Sequence, residues 1–93
     1  MTSEYRVRTI FVQIKCRPGT AYQVADRVME QLEDTISELF STSGSFDLLA
    51  KFRIEPGTDP GLFVTERLQT IADIVDTYTI IGFNAYTPRA NPA

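Results

Sequence analysis

The pattern of the chain predicts an α+β fold, a ferredoxin-like βαββαβ arrangement with a four-stranded antiparallel sheet and two helices on one face. Three observations carry that prediction. Four stretches alternate in polarity and two have helical spacing, in the order strand, helix, strand, strand, helix, strand. The middle two strands are joined by a short Ser-Gly-Ser turn, which makes them a hairpin. At 93 residues, one domain spans 1–93 with no room for a second.

Each element has its own signature. From Arg6 to Cys16, one parity (Ile10, Val12, Ile14, Cys16) is wholly apolar, and the other (Val7, Thr9, Phe11, Gln13) is mixed. That is a strand with one fully buried face. Arg17-Pro18-Gly19 breaks it, with Pro and Gly where a type II turn wants them. Thr20 and Gln23 form a capping-box pattern. Behind it, Ala21, Val24, Ala25, Val28, Met29 and Leu32 share one helical face. Ile36 to Thr42 alternates, the compact turn Ser43-Gly44-Ser45 follows, and Phe46 to Ile54 alternates again. Asp59-Pro60 supplies an N-cap acceptor and a proline at the first helical position. The helix behind it carries Val64, Leu68 and Ile71 and runs to about Thr70. The last strand covers about Val75 to Tyr86, giving an ordered core of about 6–86, and Thr87 to Ala93 reads as a disordered tail.

Composition narrows the function. Nine basic against twelve acidic residues leave a net charge of −3, which argues against direct nucleic-acid binding or an anionic membrane surface. There is no His, so imidazole-based triads, dyads and zinc sites are excluded. The single cysteine, Cys16, cannot close an internal disulfide; it follows the buried parity and reads as a core residue in a reducing, cytoplasmic setting. No apolar run is long enough to span a membrane. No metal or cofactor is expected: Asp73 and Asp76 read as ion-pair partners, and Glu33 and Asp34 at the end of the first helix as solubilising charges.

Helices on one face leave the other uncovered. That face is expected to hold Val7, Phe11, Leu39 and Leu49, each worth roughly 1.5–3 kcal/mol if buried. A homodimer that packs sheet on sheet, a dimeric α/β barrel, answers that cost; a monomer with tolerated surface apolar residues is the plainer alternative.

The segment Ser43 to Phe52, with Gly44, Phe46, Asp47, Leu48 and Leu49, resembles the hairpin of the effector-binding (RAM) domain of Lrp/AsnC-type regulators. Val75 and Thr79, with Thr77 close to the pattern, resemble its terminal strand, and Pro18-Gly19 with the first helix also fits. The resemblance covers about Arg6 to Tyr86. It implies a non-enzymatic module that binds a small amino acid or related metabolite between dimers, often in an octameric ring. Full-length members begin with a DNA-binding module, and only a handful of residues precede the first strand here. The resemblance therefore implies a stand-alone domain that modulates transcription indirectly, for instance by co-assembling with a full-length Lrp/AsnC-type regulator.

The ligand-binding residues implied are Ser43, Gly44, Ser45, Phe46, Asp47, Thr77 and Thr79. Turn amides and Ser hydroxyls can hold a carboxylate, Asp47 can pair with an ammonium, and the threonines add hydroxyls. The plainer alternative makes Gly44 a turn glycine and Asp47 an edge charge. Arg17-Pro18-Gly19 also resembles the loop of ACT domains, another βαββαβ amino-acid sensor. A rival of a different class is a cofactor-free enzyme of the dimeric α+β barrel type, with its site between sheet and helices. Ile10, Val12, Ile14, Phe46, Leu48, Ala50 and Phe52 are expected to fill that space.

Overall fold

Strand β1 (Arg8–Cys16) pairs along both edges, antiparallel with β3 (Leu48–Ile54) on one side and with β4 (Ile74–Ile81) on the other. Strand β2 (Ile36–Ser41) adds to the outer edge of β3, so the sheet order is β2-β3-β1-β4. Helix α1 (Ala21–Gln31) joins β1 to β2. Helix α2 joins β3 to β4 and is α-helical over Pro60–Phe63, then π-helical over Val64–Leu68. The computed structural model describes residues 8–86 and 88; Val7 and, Pro88 apart, the expected tail Thr87–Ala93 lie outside those residues. The predicted ferredoxin-like order is the observed one.

The buried parity of β1 is the floor of the core. Ile10, Val12 and Ile14 are fully buried with Ala50 and Phe52 of β3 and Val24 and Val28 of α1. Leu32, Val64, Leu68 and Ile71 close the layer as expected, joined by Phe63, which periodicity did not single out. Phe63 meets Phe52 edge to face, ring centroids 5.1 Å apart at 69°. Phe63 and Val64 are consecutive buried residues where the α turn passes into the π turn, and the helix ends at Leu68, short of the expected Thr70.

Several local expectations are corrected. Thr20 forms no capping box: its hydroxyl donates backwards to the Arg17 carbonyl at 2.6 Å. That bond reinforces the turn in which the Thr20 amide reaches Arg17 O at 3.1 Å and Gly19 holds φ at +83°. Met29 leaves the apolar face and is 47% exposed, because the buried stripe follows Val24, Val28 and Leu32. The β2–β3 connection is not a three-residue turn, since β2 stops at Ser41, β3 begins at Leu48, and Phe46 is only half-buried outside the strand. β4 stops at Ile81 rather than Tyr86. The Gly82 amide makes the last bond to β1, on Thr9 O at 3.1 Å, and among the described residues no partner strand continues beyond.

The uncovered face also differs from expectation in one residue. A register shift between Ile36 and Glu38 turns both Ile36 and Leu39 toward the core, so Leu39 is not on the open face. Phe40 takes that place opposite Leu49, and β4 adds Tyr78 and Ile80 opposite Gln13 and Phe11. Phe40, Tyr78 and Ile80 are 51%, 58% and 42% exposed. The oppositely charged neighbours Glu38–Lys51 and Lys15–Asp76 flank this apolar centre.

At the end of β1, Asp73 adopts φ = 74°, a left-handed conformation that Asp tolerates better than most residues. Its carboxylate accepts from Arg17 Nε at 2.9 Å and Arg27 Nη1 at 3.1 Å, tying the β1–α1 turn to the entry of β4. The two guanidiniums hold the Asp73 carboxyl below its ordinary value of 3.8, Arg27 contributing most.

Two outcomes are expected. Phe52→Ala removes a fully buried ring and its partner for Phe63, and urea denaturation should show a loss of about 3–5 kcal/mol. Because folding depresses the Asp73 pKa, its contribution is fully present above about pH 4 and is lost as pH falls through the folded value. Acid titration of Asp73→Asn should therefore lack part of the wild-type stability slope below pH 3.8 and run parallel to wild type at neutral pH.

Candidate functional site

The β2–β3 loop is built from its own backbone. The Thr42 amide donates to Asp47 O at 2.9 Å and the Thr42 hydroxyl to Phe46 O at 3.2 Å, closing the base of the loop. Gly44 at its tip holds φ at +105°, a conformation that L side chains rarely adopt. Lys15 Nζ donates to Ser45 O at 3.1 Å from the end of β1. Ser43 and Ser45 are exposed, and among the described residues no hydrogen bond uses either hydroxyl.

Asp47 is not an edge charge, because β3 is an interior strand. Its amide donates to Ile14 O at 2.9 Å and its Oδ2 accepts from the Cys16 amide at 2.7 Å. Backbone and side chain together extend the β1–β3 ladder beyond the start of β3, and among the described residues no hydrogen bond uses the second carboxylate oxygen.

Thr77 and Thr79 stand elsewhere. They pair with Ile14 and Val12 on the far side of β1 and take the parity that faces the helices. The Thr77 hydroxyl already accepts from Gln69 Nε2 at 2.7 Å. Leu48 and Thr77 flank Ile14 from opposite sides, so the loop and the threonines are two strand spacings apart, about 9.5 Å. The single chain gathers Ser43, Gly44, Ser45, Phe46 and Asp47 and leaves Thr77 and Thr79 as a separate group.

Cys16 is 4% exposed, and burial, then the Asp47 and Asp73 carboxylates, push its thiol above the ordinary value of 9.0. It stays a neutral core thiol at neutral pH. Among the described residues no acidic or thiol cluster has the makings of a metal site. The role of residues 15–17 as a junction, reaching Ser45, Asp47 and Asp73 at once, was not visible from spacing, because its partners lie 30 to 56 positions away.

The Asp47 bond is testable by itself. Asp47→Ala strands the Cys16 amide and should cost about 1–3 kcal/mol in chemical denaturation, whereas Asp47→Asn, whose amide oxygen can still accept, should cost less than half of that.

The fold and loop can be set beside known proteins. TTHA0845 from Thermus thermophilus superposes with a TM-score of 0.72 at 25% identity, over 86% of this chain and 98% of that one. FFRP-DM1 gives 0.72 at 24% identity, over 82% and 99%. AsnC of E. coli gives 0.65 at 23% identity, covering 97% of this chain but 55% of AsnC, so the chain spans about half the length of that regulator. No curated protein matches. No helix of the described residues is long and apolar enough to cross a membrane. The family model for the Lrp/AsnC ligand-binding domain matches residues 9–92, loop, sheet and both helices included, and the chain belongs to that family.

Proposed function

We propose that this regulatory ligand-binding domain is a non-enzymatic sensor that holds a small amino acid or related metabolite against the Ser43–Asp47 loop, at an interface between dimers. The observation that carries the reading is the division of labour in the loop. Asp47 and Lys15 fix its shape through the Cys16 amide and Ser45 O, while the Ser43 and Ser45 hydroxyls and the turn amides around Gly44 face solvent. Donors at a tip of this kind suit a carboxylate, and the second Asp47 oxygen suits an ammonium. Thr77 and Thr79 join the site when another copy brings them to it.

The reading places the protein in the cytoplasm as a homodimer or higher oligomer, such as an octamer, acting on transcription by co-assembly with a full-length regulator of its family. The open sheet face supports self-association. Phe11, Phe40, Leu49, Tyr78 and Ile80 share this face with Gln13 and with the pairs Glu38–Lys51 and Lys15–Asp76, apolar area and charges of both signs that a two-fold contact between copies can use. The space between sheet and helices, where a barrel-type enzyme would keep its site, is packed with Ile10, Val12, Ile14, Leu48, Ala50 and Phe52. That packing weighs against the enzymatic alternative.

Calorimetry against the twenty common amino acids should give binding heat with at least one of them. Ser43→Ala/Ser45→Ala should weaken that binding about tenfold or more, since a hydrogen bond to a charged group contributes ~1.5–3 kcal/mol, while the melting temperature stays within a degree or two of wild type. A panel without heats removes the sensor reading. Independently, light scattering should report a dimer or larger species for wild type, and Ile80→Lys, which sets a charge in the apolar centre, should shift it to the protomer at the same concentration.

A further inference from the structure

The sensor reading uses Lys15 only as a brace for the loop, yet its surroundings fit it for a second task. Lys15 is the last residue but one of β1 and is exposed, and its Nζ donates to Ser45 O at 3.1 Å. An ammonium has three donors, and this bond occupies one. Among the described residues Lys15 forms no ion pair, although Asp76 stands opposite it in β4. Asp76 turns one oxygen to the Thr77 amide at 2.9 Å instead. Arg17 and Arg27, the other cations at this end of the sheet, are both bound to Asp73. A positive charge that no carboxylate of the chain takes up is therefore tethered to the loop.

The charges on either side give that position its consequence. Lys15 follows Ile14, and Asp47 precedes Leu48, in the antiparallel pair Ile14–Leu48. The two residues therefore occupy neighbouring positions on adjacent strands, which lie about 5 Å apart. On the β4 side Asp76 is its partner in register, so Lys15 is flanked by two carboxylates. Serine hydroxyls and turn amides can donate to an incoming carboxylate, but they carry no full charge to set against those two. Without the lysine, a carboxylate at the loop meets like charges and an ammonium meets only attraction. With it, the loop presents a cation beside a carboxylate, which matches a molecule that carries its own carboxylate and ammonium on one carbon.

We infer that Lys15 sets the class of ligand the loop accepts: its Nζ pairs with the ligand carboxylate, so that the site takes zwitterions and discriminates against amides, esters and simple amines. The inference rests on the sensor reading and narrows it, from an amino acid or related metabolite to one whose carboxylate is unmodified. The bond to Ser45 O holds the side chain at the loop before a ligand arrives, which lowers the ordering cost of binding. The two tasks of Lys15 separate by their dependence on ligand charge. A brace serves every ligand alike, whereas a charge serves only the ligand that carries its opposite.

Titrations followed on the amide resonances of Gly44 and Ser45, which register even millimolar binding, test this for wild type, Lys15→Gln and Lys15→Arg. The probes are the twenty common amino acids and the α-amide of each, with thermal melts showing that every variant is folded. Wild type should bind at least one amino acid, and its α-amide about tenfold or more weakly, the fold-change of one charge-assisted hydrogen bond. Lys15→Gln should weaken the amino acid by a similar factor and leave the amide nearly unchanged, while Lys15→Arg, which keeps the charge, should stay close to wild type. Equal losses for amino acid and amide in Lys15→Gln would assign Lys15 to holding the loop and overturn the inference, leaving the sensor reading in place. Unchanged affinity for the amino acid in Lys15→Gln would do the same. A wild type whose loop amides respond to neither panel would remove the sensor reading and the role of Lys15 together.

Discussion

Every second side chain of β1 lies in a dry layer beneath two helices, and the alternate ones lie where no helix reaches. That asymmetry follows from the order of elements: two crossovers of the same hand put both helices on one side of four strands. On the covered side, Ile10, Val12 and Ile14 are fully buried and set the height of the whole core. On the open side, Phe11 sits between Lys51 and Ile80 in register, neither dry nor properly wet. Phe40, Tyr78 and Ile80 are 51%, 58% and 42% exposed and Phe11 and Leu49 are half-buried, so covering them recovers only part of the roughly 1.5–3 kcal/mol that full burial of such a side chain is worth. The open face is the feature on which the proposed self-association rests.

The end of β1 is where the loops of the molecule are tied together. Successive amides at Cys16 and Arg17 donate in different directions, one to the Asp47 carboxylate at 2.7 Å and the other to Asp73 O at 2.8 Å. Asp73 in turn gathers Arg17 and Arg27, so the β2–β3 loop, the β1–α1 turn and the entry of β4 share one junction. A displacement of the β2–β3 loop that leaves the Cys16 amide unpaired carries the cost of an unmade hydrogen bond, at the residue next to the one whose amide holds Asp73 O.

How much of this was legible in the sequence depends on whether the signal was local. The order of elements, the Asp59-Pro60 helix start and the Pro18-Gly19 turn were readable because each rests on residues within a few positions. The parity of β2 was not. One register shift after Ile36 reverses the strand, sending Leu39 inward and Phe40 outward, and a period of two cannot announce an inserted residue. Phe63 directly precedes the π turn and lies off the stripe that Val64, Leu68 and Ile71 follow, so a 3.6-residue spacing counted from that stripe passes over it. Thr20 had the right neighbours for a capping box, but Arg17 O, exposed by the turn before it, competed for the hydroxyl and won. At the candidate site, Gly44 and Asp47 were identifiable by type and position, while the Cys16 amide that fixes Asp47 could be found only once β1 and β3 were placed side by side.

The residues proposed for the ligand fall into two groups that β1 holds about 9.5 Å apart. The two groups are therefore not adjacent within one chain. A ligand that touched only the loop of one protomer would bind free and assembled protein alike, and a ligand without differential affinity shifts no equilibrium, however tightly it binds. On the proposed reading, regulation by assembly therefore requires that part of the site come from another copy, the part proposed for Thr77 and Thr79. On that reading, the apolar sheet face would supply the affinity that brings copies together, and the ligand would add only the increment that selects one arrangement among those the face allows. By linkage that increment grows with the ratio of free ligand to its dissociation constant, about 2.7 kcal/mol at a hundredfold excess. A contribution of that size is too small to build an assembly from monomers, and large enough to choose between two assemblies of nearly equal stability.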